Sequence, residues 1–338
     1  MAATTHVFLI HDDVPARSEA LTPFLRARLA RKDVIRLPFR WLRRLAARVL
    51  AWWRARTLGP TMALLGGPSP RRSDMAQQAM ALQVTLGRRY VCHPVLHGGE
   101  PTAARAAAGV AGTDQVVLLP MDPVCGASLR AAASAAKRAL VKSGATSCWA
   151  GAWAEDDGYI EAMAECLRGA IAKVAERAGA PADRPLDYRV LFVATGASEG
   201  APADRARAAA TRLAAATRLS APWKLAFLPE FGHVADGVGG LTEALPDAGV
   251  VVIQHLGATS EHLDTVVLLD RIARQAAESQ GLRWVRAAAP KTRPTWIHAM
   301  ASRVQAAERD AGWTVPEDRV RAAVDQAWAA LDAQGEEE

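Results

Sequence analysis

A chain of 338 residues and 36.0 kDa has room for one large domain or two of ordinary size. With 50% hydrophobic and 22% charged residues, it has the composition of a folded globular protein and not of a disordered one. The net charge of +6 is concentrated, because residues 26–56 carry 11 basic side chains against Asp33 alone, and the rest of the chain is acidic on balance. No apolar run approaches the roughly 20 residues that span a bilayer. The four cysteines, Cys92, Cys125, Cys148 and Cys166, lack C-x-x-C spacing, so neither a disulfide framework nor a cysteine zinc site is indicated.

The N-terminus, MAATTHVFLIHDD, has no basic n-region and only a short apolar core, Val7 to Ile10, which reads as a strand and not as a signal peptide. A cytoplasmic chain is therefore expected. HVFLIHDDVP (6–15) opens a first unit, and VVLLPMDPVCGAS (116–128) gives it a second buried strand ending in a polar loop. YRVLFVATGAS (188–198) and VVVIQHLGATSEH (250–262) repeat the pattern. Continuous apolar runs of this length suit strands covered on both faces of a parallel sheet. Between them, residues 20–31, 73–86, 129–143, 158–178, 202–217 and 261–279 have helical period. Strands alternating with helices predict an α/β fold of two Rossmann-like units, each a parallel sheet flanked by helices, with a cleft between them. The expected division is an N-terminal unit over 1–150, a connecting helix and linker over 151–187, a C-terminal unit over 188–290, and closing helices with an acidic tail over 291–338.

Ligands of such folds bind beyond the carboxyl ends of the strands. Three polar clusters fall there: His11 with Asp12 and Asp13, Asp122 with Cys125, and Glu261 with His262 and Asp264. Each also has a plain structural reading. Ser260 or Thr259 followed by Glu261 and Asp264 is what a helix N-terminus looks like, with a capping hydroxyl and carboxylates favoured by the dipole. His11-Asp12-Asp13 also reads as an exposed turn, and Asp122 as a turn residue. His93 and His97 are separated by Pro94, which puts them on a strand or loop and argues against a helical metal pair. Thr195 ends the first strand of the second unit, where its hydroxyl is able to donate or accept a hydrogen bond but not to act as a base near pH 7.

The segment 39–56, FRWLRRLAARVLAWWRAR, sets Leu42, Leu45, Val49 and Trp52/Trp53 on one helical face, flanked by Arg43, Arg44, Arg48, Arg54 and Arg56. Tryptophan with arginine at an apolar boundary is the composition of a helix lying in a membrane interface. A core-packed helix with snorkelling arginines is the alternative. No recognition motif for nucleic acid accompanies the charge, and ATGASEG is not the G-x-G-x-x-G of a dinucleotide site.

Several of these phrases resemble those of the ferrochelatase family, which inserts ferrous iron into a porphyrin in haem synthesis. VFLIHDDVP followed by LTPFLRARLARKDVIRLP resembles the family opening. LGGPSPRRSDMAQQAMAL (65–82) is similar to its G-G-x-S-P segment, and VLHGGEP (95–101) sits where the family writes A-M-R-Y-G-x-P. LLPMDPVCGAS (118–128) falls at L-P-L-Y-P-Q-Y-S-A-S, ATSEHLDTVVLLD (258–270) at F-V-S-D-H-L-E-T-L-x-E-I-D, and PTWIHAMASRV (294–304) at the closing helix. The departures fall in the chemistry: Thr195 stands at the position of the family's histidine, Asp264 shortens its glutamate, and His97, Gly98, Asp122 and Cys125 replace an arginine and three tyrosines.

The resemblance implies a two-unit chelatase fold, ferrous iron as substrate, and a porphyrin or haem as partner. It implies no tightly bound cofactor, and the absence of cysteines after Cys166 implies no iron–sulfur cluster. Asp264, Thr195 and His11 are the expected catalytic residues; Asp264, His262 and His11 the expected metal-handling residues. Arg36, Arg40, Trp41, His97, Asp122, Cys125 and Ser260 are expected to contact substrate. With the family histidine replaced, weak or altered metalation is expected, and the competing reading is a non-catalytic relative that binds, carries or senses a tetrapyrrole or metal. Residues 39–56 take the position of a lip over the porphyrin slot, which would allow peripheral contact with an anionic membrane at its inner face.

Overall fold

The computed structural model describes residues 4–12, 20–30, 37–64, 69–97, 99–178, 187–196, 199–228 and 249–313. The apolar runs become the centres of two parallel sheets. In the first, β1 (Thr5–Asp12) lies between β2 (Tyr90–His97) and β3 (Gln115–Pro120), with β4 (Thr146–Trp149) beyond β3. In the second, β5 (Tyr188–Thr195) lies between β6 (Trp223–Leu228) and β7 (Val250–His255), with β8 (Arg283–Arg286) beyond β7. The two strand orders, β2-β1-β3-β4 and β6-β5-β7-β8, are equivalent, as the repeated sequence pattern predicts. β2 is an edge strand, which is why Pro94 is tolerated within it.

The helices are α1 (Leu21–Leu29), α2 (Arg40–Ala63), α3 (Arg71–Leu86), α4 (Ala103–Ala107), α5 (Ala127–Val141), α6 (Asp157–Ala178) and α7 (Ala201–Ala216). After β7 come α8 (Asp264–Ala273), which is π-helical, and its continuation α9 (Arg274–Ser279); α10 (Pro294–Asp310) follows β8. A run of π-helix is uncommon and occurs most often at functional sites. The expected helical segments agree with these within a few residues, except that α8 begins at Asp264 and not at 261, because residues 261–263 belong to a buried loop.

One apolar core runs through both units. It joins Val7, Leu9 and Leu82 of the first to Phe192, Val250 and Val252 of the second, through Met163 and Leu167 of α6 and Trp296 and Met300 of α10. Trp153 stacks on Trp296 at 5.0 Å, and Tyr159 meets both edge-on. The polar ends of two of these aromatics reach the strand ends: Trp153 Nε1 donates to the Pro120 carbonyl, and Tyr159 Oη donates to the Leu256 carbonyl. Buried Glu308 of α10 accepts from Thr5 Oγ1 and Tyr90 Oη, tying α10 to the amino ends of β1 and β2. His93 stacks on His6, and His6 reaches Asp114, so this histidine pair is a bonded strand-to-strand contact. Burial lowers the pKa of His93 to about 4.

α1 and α2 form a hairpin between β1 and α3 with a small core of its own: Leu21, Leu25 and Leu29 against Ala47 and Ala51. The inward side of α2 is its alanine side, with Ala47 and Ala51 buried against the α1 leucines and Ala55 and Leu58 packed beside them. Its bulky side faces outward, with Trp41 64%, Val49 59%, Leu45 54%, Trp52 51% and Trp53 43% exposed. That orientation excludes core burial of the tryptophans. Arg56 covers the Trp52 ring at 3.9 Å. No helix among the described residues is long and apolar enough to cross a membrane.

Candidate active site

Three histidines converge at the carboxyl ends of the central strands. His11 leaves β1, His255 ends β7, and His262 lies in the loop 256–263 that follows β7. The His11 and His262 rings are 6.5 Å apart, and His262 meets His255 edge-on at 5.8 Å.

The loop carrying His262 is buried and must satisfy its backbone internally. Thr259 Oγ1 donates to the Met121 carbonyl, Gln78 Nε2 donates to the carbonyls of Thr259 and Lys291, and the Glu261 N–H donates to Asp74. These bonds seat a loop of the second unit against α3 and the end of β3 in the first. Glu261, expected near the chemistry, instead pairs with Arg286 at 2.9 Å, which also holds Asp270 at 2.7 Å. Burial alone would raise the Glu261 pKa, but Arg286 and the hydrogen bonds to Thr265 and Ala289 hold it below the usual carboxylate range.

His262 Nδ1 donates to the Ser260 carbonyl, the kind of backbone bond that orients metal-binding imidazoles. His11 differs. It is 6% exposed, and among the described residues neither ring nitrogen has a hydrogen-bond partner. Burial lowers its pKa well below the usual histidine value, helped by Arg71, His262 and His255 and opposed by the Asp12 backbone. His11 is therefore a neutral imidazole near pH 7. Ser260 Oγ is likewise buried and unpartnered among the described residues. Orphaned polar groups are rare in protein interiors and call for a reason.

Of the residues expected from sequence, His11, Ser260 and His262 come together here, and Thr195 joins through His255, whose Nε2 is 3.0 Å from Thr195 Oγ1. Asp264 is the first residue of α8, two positions from His262; only its backbone is described. His97 is half-buried at the end of β2, in register with Asp12. Asp122 is a turn residue: its Oδ1 accepts from Val124 N–H at 3.0 Å. Cys125 lies in the apolar core behind the first sheet, where burial pushes its thiol up to about 12, so it presents neither a thiolate nor a free surface to a ligand. Arg40 and Trp41 begin α2 and are exposed; Arg36 lies outside the described residues.

Sequence reasoning did not single out His255, nor the buried Arg71, whose Nη1 donates to the Asp12 carbonyl beside His11. A groove of about 520 Å³ between α3 and α10, lined by Met80, Val84 and Ile297 among others, shares no residue with this cluster. Among the described residues no group of three or more His, Cys, Asp or Glu is arranged to hold a metal ion.

Gly257 explains how closely the units approach. A Cβ there would sit 2.8 Å from Asp122 Oδ1 and 3.0 Å from its Cγ. Gly257→Ala is expected to displace the Asp122 turn and lower stability by about 1–3 kcal/mol, read as a fall in the urea midpoint. An unchanged midpoint would mean the loop is less tightly seated than its contacts indicate.

Comparison with known proteins bears on the family and the fold. The family model for ferrochelatase matches residues 7–308. A ferrochelatase of Synechococcus elongatus is 29% identical over 322 residues, covering 88% of this chain and 81% of that protein. A ferrochelatase of Caulobacter vibrioides is 27% identical over 309 residues, covering 86% of each. Among solved structures, the sirohydrochlorin chelatase SirB from Bacillus subtilis subspecies spizizenii, in complex with cobalt, superposes with a TM-score of 0.50 at 12% identity, over 91% of this chain and 97% of that one. At that identity the likeness is one of fold.

Proposed function

The chain belongs to the ferrochelatase family, and on that footing we propose that it inserts a divalent metal, ferrous iron in the first instance, into a porphyrin bound between its two α/β units. Insertion exchanges two pyrrole protons for the metal ion, so the site needs a proton acceptor, a weak metal donor and an apolar slot. His11 is the observation that carries the reading: a buried, neutral imidazole whose ring nitrogens have no hydrogen-bond partner among the described residues, at the mouth of a central strand. Such a group takes a proton from a bound pyrrole nitrogen and passes it outward. His262, oriented by the Ser260 carbonyl, donates to the arriving metal, with Asp264 two positions on as a carboxylate partner. Imidazole and carboxylate bind ferrous iron without retaining it. Thr195 does not act as the base. In this proposal the proton-accepting histidine stands on β1, in the first unit, while the family position on β5 holds a hydroxyl.

The outward face of α2 fits the same reading, with tryptophans and arginines presented to an anionic membrane surface beside the entrance for a lipophilic substrate. In this reading the protein is cytoplasmic and peripheral, and porphyrin carboxylates meet Arg40 at the start of that helix.

Titrating protoporphyrin while following tryptophan fluorescence tests the proposal, since ten tryptophans report. Saturable quenching at micromolar porphyrin, followed by metalation on anaerobic addition of ferrous iron, is expected. No saturable quenching overturns the proposal. Binding without any metalation transfers the protein to the second reading, a carrier or sensor, which the replacement of a histidine by Thr195 favours.

A further inference from the structure

His255 is 4% exposed and stands beside the half-buried Thr195. Two bonds fix where its proton sits. The Gly257 N–H donates to Nδ1 at 3.1 Å, so Nδ1 is the unprotonated nitrogen and the ring proton of the neutral imidazole is on Nε2. Nε2 is the atom 3.0 Å from Thr195 Oγ1. The histidine is therefore the donor in that bond and the threonine oxygen the acceptor. A threonine hydroxyl is otherwise free to rotate and play either part. Its own proton is then turned away from His255, and the bond to His255 is the one the hydroxyl makes among the described residues. Burial of the His255 ring and the edge-on contact with His262 keep the arrangement in place.

From this we infer that His255 is a positioning residue that makes Thr195 a hydrogen-bond donor toward the unprotonated ring nitrogens of a metal-free tetrapyrrole. The inference rests on the porphyrin-binding reading above and extends it to specificity. A free-base macrocycle has two ring nitrogens bearing protons and two bearing lone pairs. The lone pairs are the acceptors for a donor hydroxyl, and they are consumed when a metal enters. A fixed donor thus favours substrate over metalated product and helps the product leave. Had the imidazole carried its proton on Nδ1, the hydroxyl would have turned toward Nε2 and offered the ring only lone pairs.

Fluorescence titrations with protoporphyrin and with zinc protoporphyrin, on wild type and four variants, test this. Thr195→Val is expected to weaken protoporphyrin binding about 3- to 10-fold, the net worth of one hydrogen bond, and to leave zinc protoporphyrin within twofold. His255→Ala should reproduce that loss, and the double variant should be no worse than either single one, because both remove the same bond. His255→Gln retains an N–H donor and should recover most of the affinity. A merely structural His255 would instead give losses that add to those of Thr195→Val and that fall on both ligands alike. Thr195→Val and His255→Gln carry the test if His255→Ala does not fold. If wild type binds neither ligand, the porphyrin reading falls and takes this inference with it. If wild type binds both and Thr195→Val leaves their ratio unchanged, or weakens the zinc complex as much as the free base, this inference alone is overturned.

Discussion

His11→Ala is expected to slow metal insertion by about 10²–10⁴-fold while leaving protoporphyrin affinity within a few-fold of wild type, the loss that follows removal of a positioned general base. Its imidazole is kept neutral by burial and by the nearby charge of Arg71, so near pH 7 it needs no prior deprotonation before accepting a proton. Initial rates with ferrous iron or zinc, compared with binding measured separately, divide the two effects. His11→Asn, which fills more of the space without supplying a base, should be as slow as alanine. Adding Thr195→His to His11→Ala puts an imidazole at the end of β5 and should recover part of the rate. Retention of most of the rate by His11→Ala would sink the assignment and leave the carboxylate of Asp264 as the first alternative.

The second large effect concerns α2. Replacing Trp52 and Trp53 with Ser should reduce capture by anionic vesicles at least tenfold and leave the thermal midpoint close to wild type, because both rings are about half exposed and lie outside the cores of the fold. Changing Arg44, Arg48 and Arg54 to Glu should reduce capture about 100-fold at low salt, since each interfacial arginine contributes on the order of 1 kcal/mol. Capture of wild type should also fall steeply as salt rises. Vesicles containing phosphatidylglycerol against pure phosphatidylcholine provide the comparison. Equal flotation on both, or none on either, would show that the outward tryptophans serve something other than a charged bilayer.

The four central strands are legible because each is a run of apolar residues that a doubly covered sheet requires, as in Val7–Ile10 and Val250–Ile253. The flanking strands are not. β2 contains His93, Pro94 and His97, β4 is four residues long, and β6 opens on exposed Trp223 and Lys224, so their apolar signal is diluted by the exposure of an outer position. Much of the histidine cluster is legible too, since His11, Ser260 and His262 follow strand ends where such folds bind ligands. His255 escapes because it looks like the tail of an apolar run, and its partner Thr195 lies 60 residues away in sequence. The direction in which α2 faces escapes for a related reason. Amphipathicity identifies the bulky side but not which side meets α1, and the choice is made by the leucines of α1 against Ala47 and Ala51. Cys125 reads as a strand-end group, yet the chain turns through a left-handed conformation there, with φ 55°, and carries the thiol into the core.

The buried loop 256–263 has a bearing on how the two halves of this chain hold together. Equivalent strand orders suggest two modules that would each fold alone, but the second module lends its loop as the cap for the first, and α6 and α10 thread one core through both. Half a molecule would expose Met121, Gln78 and the aromatic stack of Trp153 and Trp296 to water. Internal repetition and separate cores therefore part company here: the symmetry remains in the strand order, while one apolar core serves both halves. A substitution of Trp296 or Met300 in α10 would therefore disturb the packing of both halves at once.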